Sequence, residues 1–263
     1  MVLRMSTVLL CLAALTGCTA SPAPTNRTIT MPTADGERTS LVHRPGTAGA
    51  GAPLVIVLHG SGGSGAEAEA DLGWNAVADR EGFVVAYPDG LNGTWNGGAC
   101  CGTARRNGVD DVGFLRALTS RLTAEDGIDQ DRVYAVGFSN GGILAYAWAC
   151  TRPGDLAGIG PVAGAVLVGC PAPAPLKVVA VHGAADDRVP FAGGPGAGGA
   201  QYPSVDGSLA PFLAADGCAS PPEKAGGTST WTCREDRVVR EVIDGGGHAW
   251  PDGTADFLWS RLR

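Results

Sequence analysis

The segment Gly137-Phe138-Ser139-Asn140-Gly141 constrains this chain more than any other. The apolar run Val133-Tyr134-Ala135-Val136 leads into it, and Ile143-Leu144-Ala145-Tyr146-Ala147-Trp148-Ala149 follows it. A β-like run, a glycine-bracketed turn and a helix-like run put the serine at the apex of a sharp strand–turn–helix. Glycines flank it because a turn this tight leaves no room for Cβ atoms. With 41 glycines in 263 residues the five-residue pattern is weak by itself. Its position between the two runs, and the residues that follow it in order, give it weight.

The rest of the chain alternates in the same way. Thr28-Ile29-Thr30-Met31 and Thr39-Ser40-Leu41-Val42-His43 read as early strands. Leu54 to Leu58 is continuously apolar, as expected of a strand buried on both faces of a parallel sheet. Glu67 to Glu81 has helical spacing and ends at Gly82. Phe83 to Tyr87 is the next strand, stopped by Pro88-Asp89-Gly90, and a Gly- and Cys-rich loop runs on to Gly108. Asp110-Asp111 suit a helix N-terminus, with the helix continuing through Leu122. Ile159 to Val162, Leu176 to Val181 and Val238 to Ile243 complete the strands, and Ala255 to Leu262 closes the chain as a helix. Ala192 to Ala200, nearly all Gly, Ala and Pro, is expected to lack fixed structure. Strands alternating with helices predict an α/β fold with a mostly parallel central sheet flanked by helices.

The N-terminus reads as an address. Arg4 precedes the apolar run Thr7 to Leu15, which is too short to span a bilayer, and Leu15-Thr16-Gly17-Cys18 resembles a lipoprotein cleavage box. The expected organisation is a signal over 1–17, lipidation at Cys18, a tether over 18–27 and one domain over 28–263. The protein is then exported, with acyl chains as its only attachment to a membrane. Formal net charge is −7 and only Lys177 and Lys224 are lysines, so a nucleic-acid partner is not expected. Nothing in the pattern asks for a metal or cofactor, and a monomer is expected. Beyond the signal and Cys18 lie six cysteines, Cys100, Cys101, Cys150, Cys170, Cys218 and Cys233. In an exported chain they predict three disulfides, one of them Cys218–Cys233. Vicinal Cys100 and Cys101 are each expected to bond elsewhere.

A serine hydroxyl needs a base within hydrogen-bond reach. His59 and His182 each end an apolar strand before a glycine, where packing or loop orientation is expected, and His43 lies in an early strand. His248 follows Gly245-Gly246-Gly247 after the last strand and is the candidate base. Asp186 and Asp187 follow Leu176 to Val181 and are candidates to orient it. The oxyanion would need two N–H groups. Asn140, next to the serine, and Ser61, in His59-Gly60-Ser61-Gly62-Gly63, are the candidates. Trp95 and Asn96 are placed in the acyl pocket, with a packed loop anchor as the alternative for Trp95.

Several segments together carry a family resemblance. They are Leu58-His59-Gly60-Ser61-Gly62, Tyr87-Pro88-Asp89-Gly90, Trp95-Asn96 with Cys100-Cys101-Gly102, Val109 to Phe114, Gly137 to Gly142, His182 to Asp186 with Val189-Pro190-Phe191, and Gly246 to Pro251. In this order they resemble the polyhydroxybutyrate depolymerase and feruloyl esterase type of secreted α/β-hydrolase. The resemblance implies a carboxylesterase with a Ser139, Asp186, His248 triad and no metal or organic cofactor. It favours Asp186 over Asp187 by its spacing from His182. Small-molecule or oligomeric esters, feruloyl, acetyl or short hydroxyalkanoate, are the implied substrates. Only 15 residues follow His248, so an appended polymer-binding module is not expected. The alternatives are a non-catalytic binding or adhesion lipoprotein on the same scaffold, and a true polyhydroxyalkanoate depolymerase.

Overall fold

The computed structural model describes residues 22–263. The signal, Cys11 and the lipidation candidate Cys18 lie outside the described residues. The chain runs β1 (Thr25–Thr33), β2 (Gly36–Arg44), β3 (Leu54–Leu58), α1 (Gly65–Asp71), α2 (Trp74–Glu81), β4 (Val84–Pro88), α3 (Gly102–Asn107) and α4 (Asp111–Asp126). It continues through β5 (Val133–Phe138), α5 (Asn140–Thr151), β6 (Gly158–Val162), β7 (Lys177–Gly183), β8 (Gly194–Pro195) and β9 (Gln201–Tyr202). It ends with α6 (Val205–Ala215), β10 (Glu223–Ala225), β11 (Thr228–Thr232), β12 (Arg237–Ile243) and α7 (Thr254–Leu262).

Ten strands form one sheet in the order β1-β2-β4-β3-β5-β6-β7-β12-β11-β10. The six from β4 to β12 pair in parallel, and an antiparallel pair extends each edge. The alternation of β3 explains why both faces are covered. Leu54, Ile56 and Leu58 pack with Phe114, Leu118 and Leu144 on one face. Val55 and Val57 pack with Trp74, Val77 and Leu258 on the other. All five residues of β3 are fully buried, and each such aliphatic side chain contributes about 1.5–3 kcal/mol relative to exposure. Successive strand side chains point to opposite faces, so an unbroken apolar run supplies both layers.

Four expectations are corrected. The 18–27 tether is too long at its end, because β1 begins at Thr25 and pairs with β2 from Thr25 opposite Arg44 onward. Asn26 lies on the exposed face of this edge strand, and Arg27, on the other face, pairs with Asp126. The single helix over Glu67 to Glu81 is two helices, broken at Gly73, whose φ of 75° is left-handed. Ala192 to Ala200 has fixed structure, with β8 paired to β9 and Ala197 N–H bonded to the Arg188 carbonyl at 2.8 Å. Finally, Cys100 and Cys101 bond to each other, across a cis peptide, with their Cα atoms 3.1 Å apart. Among the described residues no other cysteine is free to take either, since Cys150 pairs with Cys170 and Cys218 with Cys233, as expected for the last pair.

The sheet aims its functional ends one way. Ser61, Trp95, Ser139, Asp186 and His248 all follow the C-terminal ends of parallel strands, β3, β4, β5, β7 and β12 respectively. In open α/β sheets that edge is where ligands bind. Among the described residues no helix is long and apolar enough to cross a membrane.

Candidate active site

Ser139 caps α5 with φ 54° and ψ −115°, a conformation that L residues seldom adopt. Its N–H is held by the Val162 carbonyl at 2.8 Å. The flanking glycines are required by close approach. A Cβ on Gly141 would lie 2.2 Å from the Leu58 carbonyl oxygen, and one on Gly137 would lie 2.5 Å from the Gly141 carbonyl carbon. The strand, the turn and the start of α5 can meet only without those side chains. The hydroxyl is thereby lifted clear of the sheet edge.

His248 Nε2 lies 2.8 Å from Ser139 Oγ, and its Nδ1 lies 2.8 Å from Asp186 Oδ2. The loop bearing His248 is stitched to the loop after β7, since Ala185 N–H donates to the Gly246 carbonyl at 2.8 Å. A Cβ on Gly183 would lie 2.3 Å from that same carbonyl oxygen, so the glycine there permits the approach. The Phe138 ring packs on the imidazole with centroids 5.0 Å apart.

Asp186 is buried and well supported. Its Oδ1 accepts the N–H groups of Arg188 and Val189, both at 2.9 Å, and His182 Nε2 lies 3.4 Å from Oδ2. Burial by itself would raise the carboxyl pKa, but hydrogen bonds from His182, His248 and the Val189 amide outweigh it and hold the group far below the usual carboxylate range. Asp187 points to solvent and makes no hydrogen bond among the described residues. The two carboxylates, equivalent as neighbours in the sequence, are separated by the turn. His182 was expected to orient a loop, and its Nε2 meets the Val189 carbonyl at 2.8 Å.

The two amide candidates face the same end of the sheet. Asn140 N–H is the first of α5 and has no intrahelical acceptor. Ser61 is exposed, and its N–H has no acceptor among the described residues. Beside it a cavity of about 310 Å³ is lined by the 59–63 loop, Phe138, Ala68 and Leu72, with Glu67 and Asp71.

Trp95 and Asn96, the candidates for the acyl pocket, do not line the cavity beside Ser61. Trp95 is fully buried, its indole N–H donating to the His59 carbonyl at 3.0 Å. It is the packed anchor. Asn96 turns toward α4, with its N–H on Asp111 Oδ2 at 2.7 Å and its side-chain amide on the Val109 carbonyl at 3.0 Å. Asp111 pairs in turn with buried Arg38 at 2.8 Å. The cavity that Asn96 does line is bounded by Asp110, Ala147 and Thr151 and includes neither Ser139 nor His248. Sequence reasoning missed Phe138 and the side chain of Asn140. Their adjacency to Ser139 was the available signal, and it was spent on the backbone amide alone. The one metal-type cluster among the described residues, Asp216 with Cys218 and Cys233, offers no thiolate because the two sulfurs are bonded to each other.

The chain has relatives. A family profile described as Esterase PHB depolymerase matches residues 38–192. "Putative esterase NocK" of Nocardia uniformis subsp. tsuyamanensis is 37% identical over 237 residues, covering 79% of this chain and 68% of the relative. The bifunctional acetylxylan esterase/xylanase XynS20E of Neocallimastix patriciarum is 31% identical over 149 residues, or 56% of this chain and 21% of that larger protein. The chain spans about half the length of the feruloyl esterases C it also matches. Among solved structures, the acetyl xylan esterase from Aspergillus awamori superimposes with a TM-score of 0.66 over 90% of this chain and 100% of that one, at 15% identity. That level of identity speaks to the fold alone. With an α/β-hydrolase sheet and a match over more than half its length, this chain belongs to the Esterase PHB depolymerase family of carboxylic ester hydrolases.

Proposed function

We propose that the protein is an exported serine carboxylesterase that works through an acyl-enzyme on Ser139. One observation carries the reading: a single imidazole, His248, bridges Ser139 Oγ and Asp186 Oδ2 at 2.8 Å on each side. Asp186, ionised, accepts the Nδ1 proton of His248 and leaves Nε2 free to take the serine proton. Ser139 Oγ attacks the ester carbonyl as that proton moves to Nε2. The amides of Ser61 and Asn140 bind the oxyanion. His248 returns the proton to the leaving alcohol, and water repeats the sequence on the acyl-enzyme. Every member of this set is a side chain or amide of the chain itself.

The substrate class is a small or oligomeric ester with a feruloyl, acetyl or short hydroxyalkanoate acyl group. The names of the matched family and of the acetylxylan and feruloyl esterase relatives support it, and the 310 Å³ cavity beside Ser61 has room for an acyl group of that size. Export with lipidation at Cys18 is part of the proposal. It is supported by Arg4, the apolar run before Cys18 and three disulfides, which persist in oxidising compartments.

The test is a panel of p-nitrophenyl acetate, methyl ferulate, acetylated xylan and 3-hydroxybutyrate oligomers, with a fluorophosphonate label on the purified protein. Turnover of at least one ester, with the label on Ser139, is the expected result. No turnover and no labelling would leave a binding protein on a hydrolase scaffold.

A further inference from the structure

Trp95 is a fully buried side chain hydrogen-bonded to the residues next to the two amides assigned to the oxyanion, the Asn140 side chain and the His59 carbonyl. Asn140 holds it from one side. The Trp95 N–H donates to Asn140 Oδ1 at 2.7 Å, and Asn140 Nδ2 donates to the Trp95 carbonyl at 3.0 Å. One side-chain amide thus takes both polar groups of one backbone residue. From the other side, the Trp95 indole N–H donates to the His59 carbonyl at 3.0 Å. The indole also lies against the His59 imidazole, with centroids 4.8 Å apart and planes 36° apart.

His59 passes this restraint to Ser61. Its Nε2 accepts the Gly90 N–H at 2.9 Å, so the ring proton is on Nδ1. Nδ1 lies 2.7 Å from the Gly60 carbonyl, which also accepts the Gly63 N–H at 3.1 Å. Burial lowers the imidazole pKa and favours this neutral form. In a trans peptide the carbonyl and the following N–H point in opposite directions. A Gly60 carbonyl held on the imidazole therefore turns the Ser61 N–H away from His59 and leaves it without an acceptor.

We propose that Trp95 is a positioning residue for ester hydrolysis, bracing the His59–Ser61 loop against Asn140 so that the two amides converge on one oxygen. The inference rests on the serine-esterase reading above. The brace crosses the ends of three adjacent strands, β4, β3 and β5, through contacts among residues 59, 95 and 140. It acts without touching substrate. Oxyanion donors help only within about 2.7–3.1 Å of the developing charge, so a small rotation of the Gly60–Ser61 peptide weakens transition-state binding and leaves ground-state binding intact.

Trp95→Phe keeps an apolar ring and deletes the indole N–H. Its kcat on p-nitrophenyl acetate, counted per fluorophosphonate-reactive serine, should fall about tenfold or more, with KM within twofold. Inhibition by phenylboronic acid, whose tetrahedral adduct puts an oxygen where the oxyanion forms, should weaken by a similar factor. A residue that only holds the fold together would lower the count of reactive serines and leave kcat per serine and the boronate inhibition constant unchanged, and that result overturns the proposal. Should the variant not fold, the wild-type protein decides through its side-chain 1H–15N spectrum. His59 should be neutral and protonated on Nδ1, and an Nε2-protonated or charged ring overturns the brace. A wild-type protein that neither hydrolyses p-nitrophenyl acetate nor reacts with the fluorophosphonate would refute the esterase reading, while the His59 spectrum would still judge the brace.

Discussion

Among the described residues Ser139 is the one hydroxyl hydrogen-bonded to His248, so no other stands ready to replace it. Ser139→Ala should therefore cost on the order of 10³-fold or more in kcat, measured on whichever ester turns over best. Residual activity within tenfold of wild type would remove Ser139 from the mechanism. Asp186→Asn should depress kcat far more than Asp187→Asn, because only Asp186 reaches His248. The reverse order would mean that the loop register differs in solution. The same carboxylate sets a pH expectation. Asp186 is held well below its ordinary value, so it stays ionised throughout the range in which the ester is turned over. The acid limb of log kcat/KM should then have a slope of one, from a single proton, and a slope of two would count against the arrangement. The stability this carboxylate gives is full above the ordinary carboxylate pKa near 4 and is lost as the pH falls toward its depressed folded value. At this scale the juxtaposition of Ser139 and His248 was legible because motif, position and chain order coincide. Asp186 and Asp187 could not be parted by residue type. The distinction comes from two backbone amides, those of Arg188 and Val189, which only the folded turn presents. The two readings of Trp95, pocket wall and packed anchor, could not be parted for a related reason, because its hydrogen-bond partner lies 36 residues away on another loop.

Elements were legible where the chain is continuously apolar. β3, β4, β5, β6 and β7 lie within a residue or two of the runs that announced them, since strands buried on both faces leave no polar interruption. They were illegible where glycine makes the decision. Gly73 splits a helical pattern in two, and α3 forms inside a stretch whose composition reads as loop. The turn into α5 gives a direct test of how much a glycine is needed for space. At Gly141 a Cβ would meet the Leu58 carbonyl at 2.2 Å and the His59 carbonyl oxygen at 2.7 Å, both backbone atoms that cannot swing aside. At Gly247, next to His248, a Cβ would meet nothing within 4 Å. Gly141→Ala should lower stability by about 1–3 kcal/mol or prevent folding, whereas Gly247→Ala should stay within about 0.5 kcal/mol. Urea melts of the two variants check this, and equal midpoints would show that the turn can open to admit a methyl group.

The molecule as a whole combines a legible centre with edges that the sequence hid. The parallel strands follow from apolar runs, but the antiparallel edges do not: β1 and β2 have nine residues each and were legible only in part, and at the other edge β10 is three exposed residues and β11 five mostly polar ones. Beyond Cys218–Cys233, disulfide pairing was likewise out of reach, because the other four cysteines permit three connectivities and the choice depends on which loops the fold brings together. The pairing is now specific enough to test. Cys150–Cys170 ties the end of α5 to the loop before β7, and Cys218–Cys233 ties the end of α6 to the end of β11. Non-reducing peptide mapping should recover both, along with a peptide in which Cys100 and Cys101 are bonded to each other. A cross-link from either of these two to any other cysteine would refute the arrangement. The consequence for stability follows from loop size. Bonded residues 20 and 15 positions apart close similar loops, so each bond should contribute about 2–4 kcal/mol by restricting the unfolded chain. The two bonds differ in what lies beneath them. Cys150 is buried at the end of the helix that Ser139 caps, whereas Cys218 and Cys233 are only partly buried and lie beside the far edge of the sheet. Replacing both members of the second pair by serine should therefore lower the urea midpoint while leaving kcat and KM for the preferred ester within twofold of wild type. A large loss of kcat in that variant, measured well below its unfolding transition, would show that the β10–β11 edge is coupled to His248 through β12.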